Sequence, residues 1–440
     1  MPVSPFEDRY KTEMNAIFDE ENKLKLWLKV EVALAHAHAK LGHISKSSAA
    51  SIEEGAKHVK LARVHDIEAE IHHDLMAMVR ALTEKCKGQG HSVHLGATSY
   101  DIEDTAAALQ LGEALSLIRT RIVSLRKVLR SLALDKANTV CVGRTHGQHA
   151  VPTTYGMKFA LYYAELGRHL ERLDAAKKRI SVGKMSGATG TMATFGKDGF
   201  ALQDEVMRSL GIEADTITNQ VVQRDRHAEC LFALALVAST LDKMAKEVRN
   251  LQRTEIAEIS EPFSSKQVGS STMPQKRNPH KSERICSLAR IVRGNVSVAL
   301  ENISLEHERD LTNSANERVV FPDSFIACDY MLKEMHKIMA GLQFFPMQIE
   351  RNLNLTRGLV LSERVMIALC EKGMGRQEAH ELMRTAAMEA FRDRKSLSEV
   401  LLLHKEVAHL LKPIELQQLF DPHTYIGLAP EIVKRAVETE

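Results

Sequence analysis

Four stretches of this chain repeat one apolar rhythm, and that rhythm limits the folds open to it. Leu111, Leu115, Ile118, Ile122, Leu125, Leu129 and Leu132 alternate at spacings of four and three. Phe159, Tyr163, Leu166, Leu170 and Leu173 do the same. So do Leu234, Val237, Leu241, Met244, Val248 and Leu251, and again Phe325, Cys328, Leu332, Met335, Met339 and Leu342. A seam with a period near 3.5 residues belongs to long helices packed almost in line. A further helix starts near Ser282 and runs through Ile285, Leu288 and Val292. Five long helices over roughly residues 104–345 predict a bundle.

Shorter amphipathic helices are expected over roughly residues 10–90, and short ones again after the bundle, separated by Gly373, Gly375, Pro413 and Asp421-Pro422. No convincing strand alternation is present. The expectation is an all-α protein of three helical domains, 1–103, 104–350 and 351–440, the central one a five-helix bundle. The many Leu and Met on the long helices suggest that some faces pack against other chains.

A net charge of +2 gives no field for nucleic acid, so anion binding must be local. The six cysteines, at 86, 141, 230, 286, 328 and 370, show no CxxC spacing, which suits reduced thiols in a cytoplasmic protein. The first ten residues lack the apolar core of a signal peptide. The longest apolar run, near Leu231–Ala238, is too short to span a bilayer.

Long connections in a helical bundle are suspects for function, and the polar ones here fall near 91–103, 138–154, 182–199 and 260–281. Gly143-Arg144-Thr145-His146-Gly147-Gln148-His149 presents an imidazole suited to general acid–base work, or simply a loop histidine bonded to backbone. Thr98 and Ser99, downstream of His72-His73-Asp74 and His94, offer donors to an oxyanion, or else a helix cap made by Ser99 or Asp101. Gln220 to His227 and His307 to Arg318 hold arginines that fork onto phosphate or carboxylate, or lie solvated at helix ends. No HExxH, acid-rich ligand cluster or phosphate-binding glycine loop of the GxxxxGK[ST] type occurs, so neither a metal nor a nucleotide-hydrolysing site is expected.

The remaining loop, Gly269-Ser270-Ser271-Thr272-Met273-Pro274-Gln275-Lys276-Arg277-Asn278-Pro279, combines hydroxyls, cations and an amide between Gly and Pro. Lys276, Asn278 and backbone amides near Met273 suit a carboxylate, and a serine abstracts a carbon-bound proton only where its alkoxide is stabilised. Glu283 falls about one turn into the next helix, placed to orient an imidazole.

This loop resembles the signature of the fumarase/aspartase superfamily, whose members eliminate fumarate from succinyl-type substrates. The likeness extends in order along nearly the whole chain, through Arg9-Tyr10, His72-His73-Asp74, TSYDIEDT at 98–105, RTHGQHAVPTT at 144–154, QRDRHAE at 223–229 and HERD at 307–310. Within the superfamily it points to the branch that acts on succinylated purine nucleotides. The resemblance implies Ser270 as base, His146 as acid oriented by Glu283, and His73 assisting near the leaving group or the phosphate. It implies Lys276, Asn278 and the amide of Met273 around the dianionic aci-carboxylate. Arg9, Tyr10, Arg309, Ser314 and Arg318 would hold the nucleotide phosphate. Thr98, Ser99, Thr145 and Gln220 would hold the succinyl and base portions, with His72 and Asp74 beside His73. It further implies no cofactor, no nucleic-acid or membrane partner, and a homotetramer in which three subunits build each site around a shared helical core. Carboxymuconate cycloisomerases share GSSTMPxKRNP but have no nucleotide to hold, and the Arg9-Tyr10 and QRDRH segments speak against them.

Overall fold

The computed structural model describes residues 4–264, 266 and 268–438. It is a helical protein, with eighteen α-helices and six short strands among the described residues. The five long helices are Ser99–Asp135, Tyr155–Ile180, Asp225–Leu251, His280–Glu301 and Ser314–Ala340. The heptad seam is what they bury: Ile118, Ile122, Leu125, Leu129, Leu166, Leu234, Val237, Leu241, Phe325 and Met335 are all fully inaccessible. Leu132 and Leu342, at the two ends of the pattern, are only half-buried. The first long helix begins five residues earlier than its seam suggests, because Ser99, Asp101 and Asp104 continue it upstream of the leucines.

Two compact units emerge from the chain. One is formed by the described parts of Met1–Val123 with Arg168–Leu241 and Cys286–Lys333. The other is formed by Ser124–Gly167, Asp242–Ile285 and the described part of Glu334–Glu440. In the first, helices Glu20–Lys40, Lys46–Ala56, Leu61–Ile71 and Asp74–Lys85 close a core around Trp27, Leu34, Ile52, Leu75 and Leu82. Local chemistry starts them. Asp19 accepts from the Asn22 N–H at 2.7 Å and Ser45 from that of Ser48 at 3.0 Å, each satisfying a donor that the first helical turn leaves free. In the second unit, short helices after Ser362 pack around Val365, Leu369, Leu397 and Leu401.

The expectation of no strands needs correction at residues 140–154. Val140–Thr145 and Gln148–Thr154 form an antiparallel hairpin, paired Val140 to Thr154 and Thr145 to Gln148. The register shifts between Val142 and Arg144, where a Cβ on Gly143 would come within 2.8 Å of the Val151 carbonyl. The turn is the dipeptide His146-Gly147, with φ of 54° and 74°, the doubly positive signature of a tight hairpin turn that matches strand twist.

Candidate active site

The signature loop is exposed along most of its length, and its own backbone shapes it. The Ser270 hydroxyl oxygen receives the Met273 N–H at 3.1 Å and the Thr272 N–H at 3.4 Å. Two amides aimed at one oxygen lower the cost of negative charge there, which a serine base requires. Asn278 donates its side-chain N–H to the Gly269 carbonyl at 2.9 Å and so ties the two ends of the loop together. Lys276 is exposed, with no ion pair among the described residues, and borders a cavity of about 880 Å³ with Arg253, Arg277, Asn278 and Glu283. Glu283 lies in the first turn of the helix His280–Glu301. Buried Glu261 caps that helix, accepting from the Ser282 N–H at 2.5 Å.

His146 sits exposed at the hairpin turn, with Thr145 exposed before it. Among the described residues no hydrogen bond or ion pair joins His146 to Ser270 or to Glu283. Below the turn, Arg144 pairs with Glu258 at 2.5 Å, and the paired residue His149 has its imidazole pushed down, first by burial and then by the Arg144 charge.

A second group of predicted residues meets elsewhere. Asp74 forms an ion pair with Arg318 at 2.6 Å; burial works to raise its carboxyl, but Arg318 outweighs burial and the net shift is downward. His73 is the cap of the helix Asp74–Lys85, its Nδ1 accepting from the Met76 N–H at 3.4 Å. His72 ends the preceding helix in the left-handed region, at φ 55°. Arg309 donates to the Gln220 side-chain oxygen at 3.0 Å, and its guanidinium carbon lies 3.8 Å from the centre of the Tyr100 ring. Its Nε and Nη2 are buried and have no partner among the described residues. A buried guanidinium edge with two such donors is suited to an anion.

Tyr100, which sequence reasoning passed over within its own quoted motif, joins this group. It hydrogen-bonds Ser314, and its hydroxyl is pushed up, first by burial and then by Glu103 and Asp104. Tyr100, Glu103, Arg224, Ser314, Glu317 and Arg318 share a cavity of about 280 Å³. Glu103 is pushed up to about 8, mainly by burial and then by Asp74 and Asp104. Arg224 is a structural residue: its guanidinium takes both Asp104 oxygens at 2.9 Å and Glu317 at 3.0 Å. His227 beside it is pushed down to about 3 by burial and by Arg224, and is therefore neutral. Asp104 and Glu317 lie 120 and 93 residues from Arg224, so the sequence gives no local signal of such a network.

Thr98 and Ser99 are half-buried at the start of the first long helix. Asp101 accepts the Thr98 N–H at 2.9 Å and the Ser186 N–H at 2.9 Å, and is paired with the buried Lys184. Arg9 is exposed, and Tyr10 meets Tyr330 edge-on, ring centres 5.2 Å apart. The described residues contain no group of three or more His, Cys, Asp or Glu placed to hold a metal ion. Among the described residues no helix is long and apolar enough to cross a membrane.

Comparison with known proteins bears on the whole chain. Residues 8–294 match a family described as lyase, and residues 358–436 match one described as adenylosuccinate lyase C-terminus. An adenylosuccinate lyase of Pyrococcus horikoshii is 56% identical over 441 residues, covering 100% of this chain and 98% of that protein. One from Methanocaldococcus jannaschii is 49% identical over 444 residues, covering 100% and 96%. Among solved structures, a 3-carboxy-cis,cis-muconate lactonizing enzyme from Pseudomonas putida superposes with a TM-score of 0.91 at 34% identity, covering 99% of this chain and 98% of that one. The shared shape thus spans the superfamily, while the higher sequence identity lies with the adenylosuccinate lyases.

Proposed function

The chain belongs to the adenylosuccinate lyase family, and we propose on that premise how its side chains divide the reaction. The enzyme eliminates fumarate from adenylosuccinate, leaving AMP, and from the related succinylated carboxamide ribotide SAICAR, leaving AICAR. Ser270, as alkoxide, takes the proton from the succinyl carbon next to the carboxylate that becomes an aci-carboxylate. That dianion is held by Lys276, Asn278 and the Met273 amide. The electron pair then forms the fumarate double bond as the carbon–nitrogen bond breaks. His146 gives its proton to the departing nitrogen, with Glu283 orienting the imidazole and His73 assisting. Stabilising the carbanion is the main demand, because the proton removed is weakly acidic, and the poor nitrogen leaving group needs an acid. The Ser270 oxygen at the focus of two backbone N–H groups is the observation that carries this reading.

Arg309, Ser314, Arg318, Arg9 and Tyr10 hold the phosphate, and Thr98, Ser99, Thr145, Gln220, His72 and Asp74 frame the rest. Three existing bonds must be exchanged for substrate: Asn278 leaves Gly269, Arg318 leaves Asp74, and the Met273 N–H turns from the Ser270 oxygen to the dianion as that oxygen takes up the proton. We place the chain in a homotetramer with sites shared between subunits. Exposed Leu161, Phe232, Ile291, Leu300 and Val319 on four of the long helices support this, since isolated helices of a monomer do not present so many large apolar side chains without purpose. Six free cysteines support a reducing, cytoplasmic setting.

The test is turnover of adenylosuccinate followed by absorbance. Absence of turnover, with conversion of carboxymuconate instead, would sink the reading. Ser270→Ala and His146→Ala should each lower kcat by at least about 10³-fold with circular dichroism unchanged.

A further inference from the structure

Glu258 is fully buried and gathers three side-chain donors from three elements. Arg144 Nη2 reaches it at 2.5 Å, the Tyr155 hydroxyl at 2.6 Å and Asn352 Nδ2 at 3.0 Å. Its backbone is pinned as well, its N–H to the Leu251 carbonyl at 3.0 Å and its carbonyl to the Phe345 N–H at 3.0 Å. The carboxylate is therefore a fixed point. Tyr155 opens the helix that leaves the hairpin, and Arg144 stands on the other strand, two residues before His146. Glu258 thus holds the hairpin at its base and near its tip at once.

The tip has little else to fix it. His146 has no hydrogen bond of its own among the described residues, and the ladder beyond Arg144 is the single pair Thr145 to Gln148. The Gly143 irregularity loosens the ladder on the other side of Arg144. The attitude of the turn, and of the imidazole on it, follows Arg144. Its hold on Glu258 is one charge-assisted hydrogen bond, from Nη2, while its buried Nη1 has no partner among the described residues. That single bond, on an immobile carboxylate, is what directs the strand end.

We infer that Glu258 is a positioning residue for His146, acting through Arg144 rather than by touching substrate. The inference rests on His146 being the acid. It predicts a loss confined to the chemical step, because misplacing a reacting group by about 1 Å costs on the order of 10²-fold while substrate binding elsewhere is untouched. Glu258→Gln keeps the size and an acceptor but removes the charge that holds Arg144 Nη2. Its kcat for adenylosuccinate should fall about 10- to 100-fold with KM changed less than about threefold.

The deciding experiment makes the same change in a His146→Ala background. If Glu258 works through His146, Glu258→Gln should there cost less than about threefold in kcat. An equal loss in both backgrounds would overturn the positioning role while leaving His146 as acid. Near-normal turnover by His146→Ala alone would remove the acid assignment and this inference with it. If Glu258→Gln does not fold, Arg144→Lys puts the same question, since it keeps the cation but loses the reach and planar Nη2 bond to Glu258. It should lower kcat about 5- to 20-fold, again only when His146 is present.

Discussion

Arg309 offers the sharpest quantitative test of the proposed phosphate site. Its Nη1 is used by Gln220, and the ring of Tyr100 lies against the guanidinium, so its plane is already set. Nε and Nη2 are buried and unpaired among the described residues. A phosphate that accepts both gains two charge-assisted hydrogen bonds, each about 1.5–3 kcal/mol. Arg309→Leu should therefore cost about 3–6 kcal/mol in kcat/KM, on the order of 10²- to 10⁴-fold. Arg309→Lys keeps the charge and loses the second bond and the flat contact with Tyr100. Its cost should be about 1.5–3 kcal/mol, or about 10- to 150-fold. The phosphate is remote from the bond being broken, so most of the loss should appear in KM. The assay is the absorbance change of adenylosuccinate, run beside its dephosphorylated nucleoside. If the fork grips phosphate, Arg309→Lys should lose almost nothing further on the nucleoside. An unchanged kcat/KM on the nucleotide, or an equal loss on both substrates, would refute the assignment.

The other expectations concern stability and loop geometry. Arg224→Met removes the cation between Asp104 and Glu317 and leaves a buried and a half-buried carboxylate together. It should cost about 3–5 kcal/mol in urea unfolding, and a loss below about 1 kcal/mol would contradict the reading. The His94–Glu31 pair should be pH-dependent. Burial alone lowers the imidazole, but the Glu31 bond at 2.6 Å and its charge outweigh burial, and the folded-state value is raised. Its contribution is complete below the ordinary imidazole value of about 6.5 and is lost as pH rises through the raised one. His94→Gln should thus destabilise more at pH 6 than at pH 8.5, and an equal or reversed difference would count against the pair. A Cβ at Gly269 would collide with the Lys276 carbonyl oxygen. Gly269→Ala should then lower kcat/KM by more than tenfold while the melting temperature moves little, since the loop is exposed; a normal kcat/KM would show that the loop base is free to open.

What could be read in the sequence follows from how far apart the interacting residues lie. The seam Leu111 to Leu129 was legible because period and burial are both local properties of one helix. Candidates such as Thr98, His146, Ser270 and Lys276 stood out because they sit in polar connections long for a bundle. The hairpin was not, since Val140-Cys141-Val142 is a short apolar run and its turn is His-Gly, without the Asn-Gly signal that marks a two-residue hairpin. Glu258 was hidden more deeply. Its partners Tyr155 and Arg144 are 103 and 114 residues away, and nothing in Ile256-Ala257-Glu258-Ile259 announces a buried carboxylate. Tyr100 went unread because its neighbours Thr98 and Ser99 carried the motif, while its own part depends on an arginine from a distant connection.

Backbone conformation adds a regularity that composition does not contain. Among the described residues nine non-glycine residues have positive φ, and four of them are histidines: His72, His94, His146 and His307. Each stands in a motif that carries candidate site residues, next to His73, upstream of Thr98, at the proposed acid and before Arg309. Histidine, like Asn and Asp, tolerates the left-handed region better than most residues, yet the conformation still costs about 1–2 kcal/mol relative to glycine. At position 72 that conformation lets one helix end and His73 cap the next with no residue between them. At position 146 it lets a two-residue turn carry an imidazole at its tip, where a looser loop would leave the ring free to wander. The same reasoning selects the cleanest probe of the acid. Asparagine is at home in this turn position, so His146→Asn removes the imidazole and keeps the hairpin. A loss of turnover in that variant, with thermal stability unchanged or raised, would report on proton transfer and not on a collapsed turn.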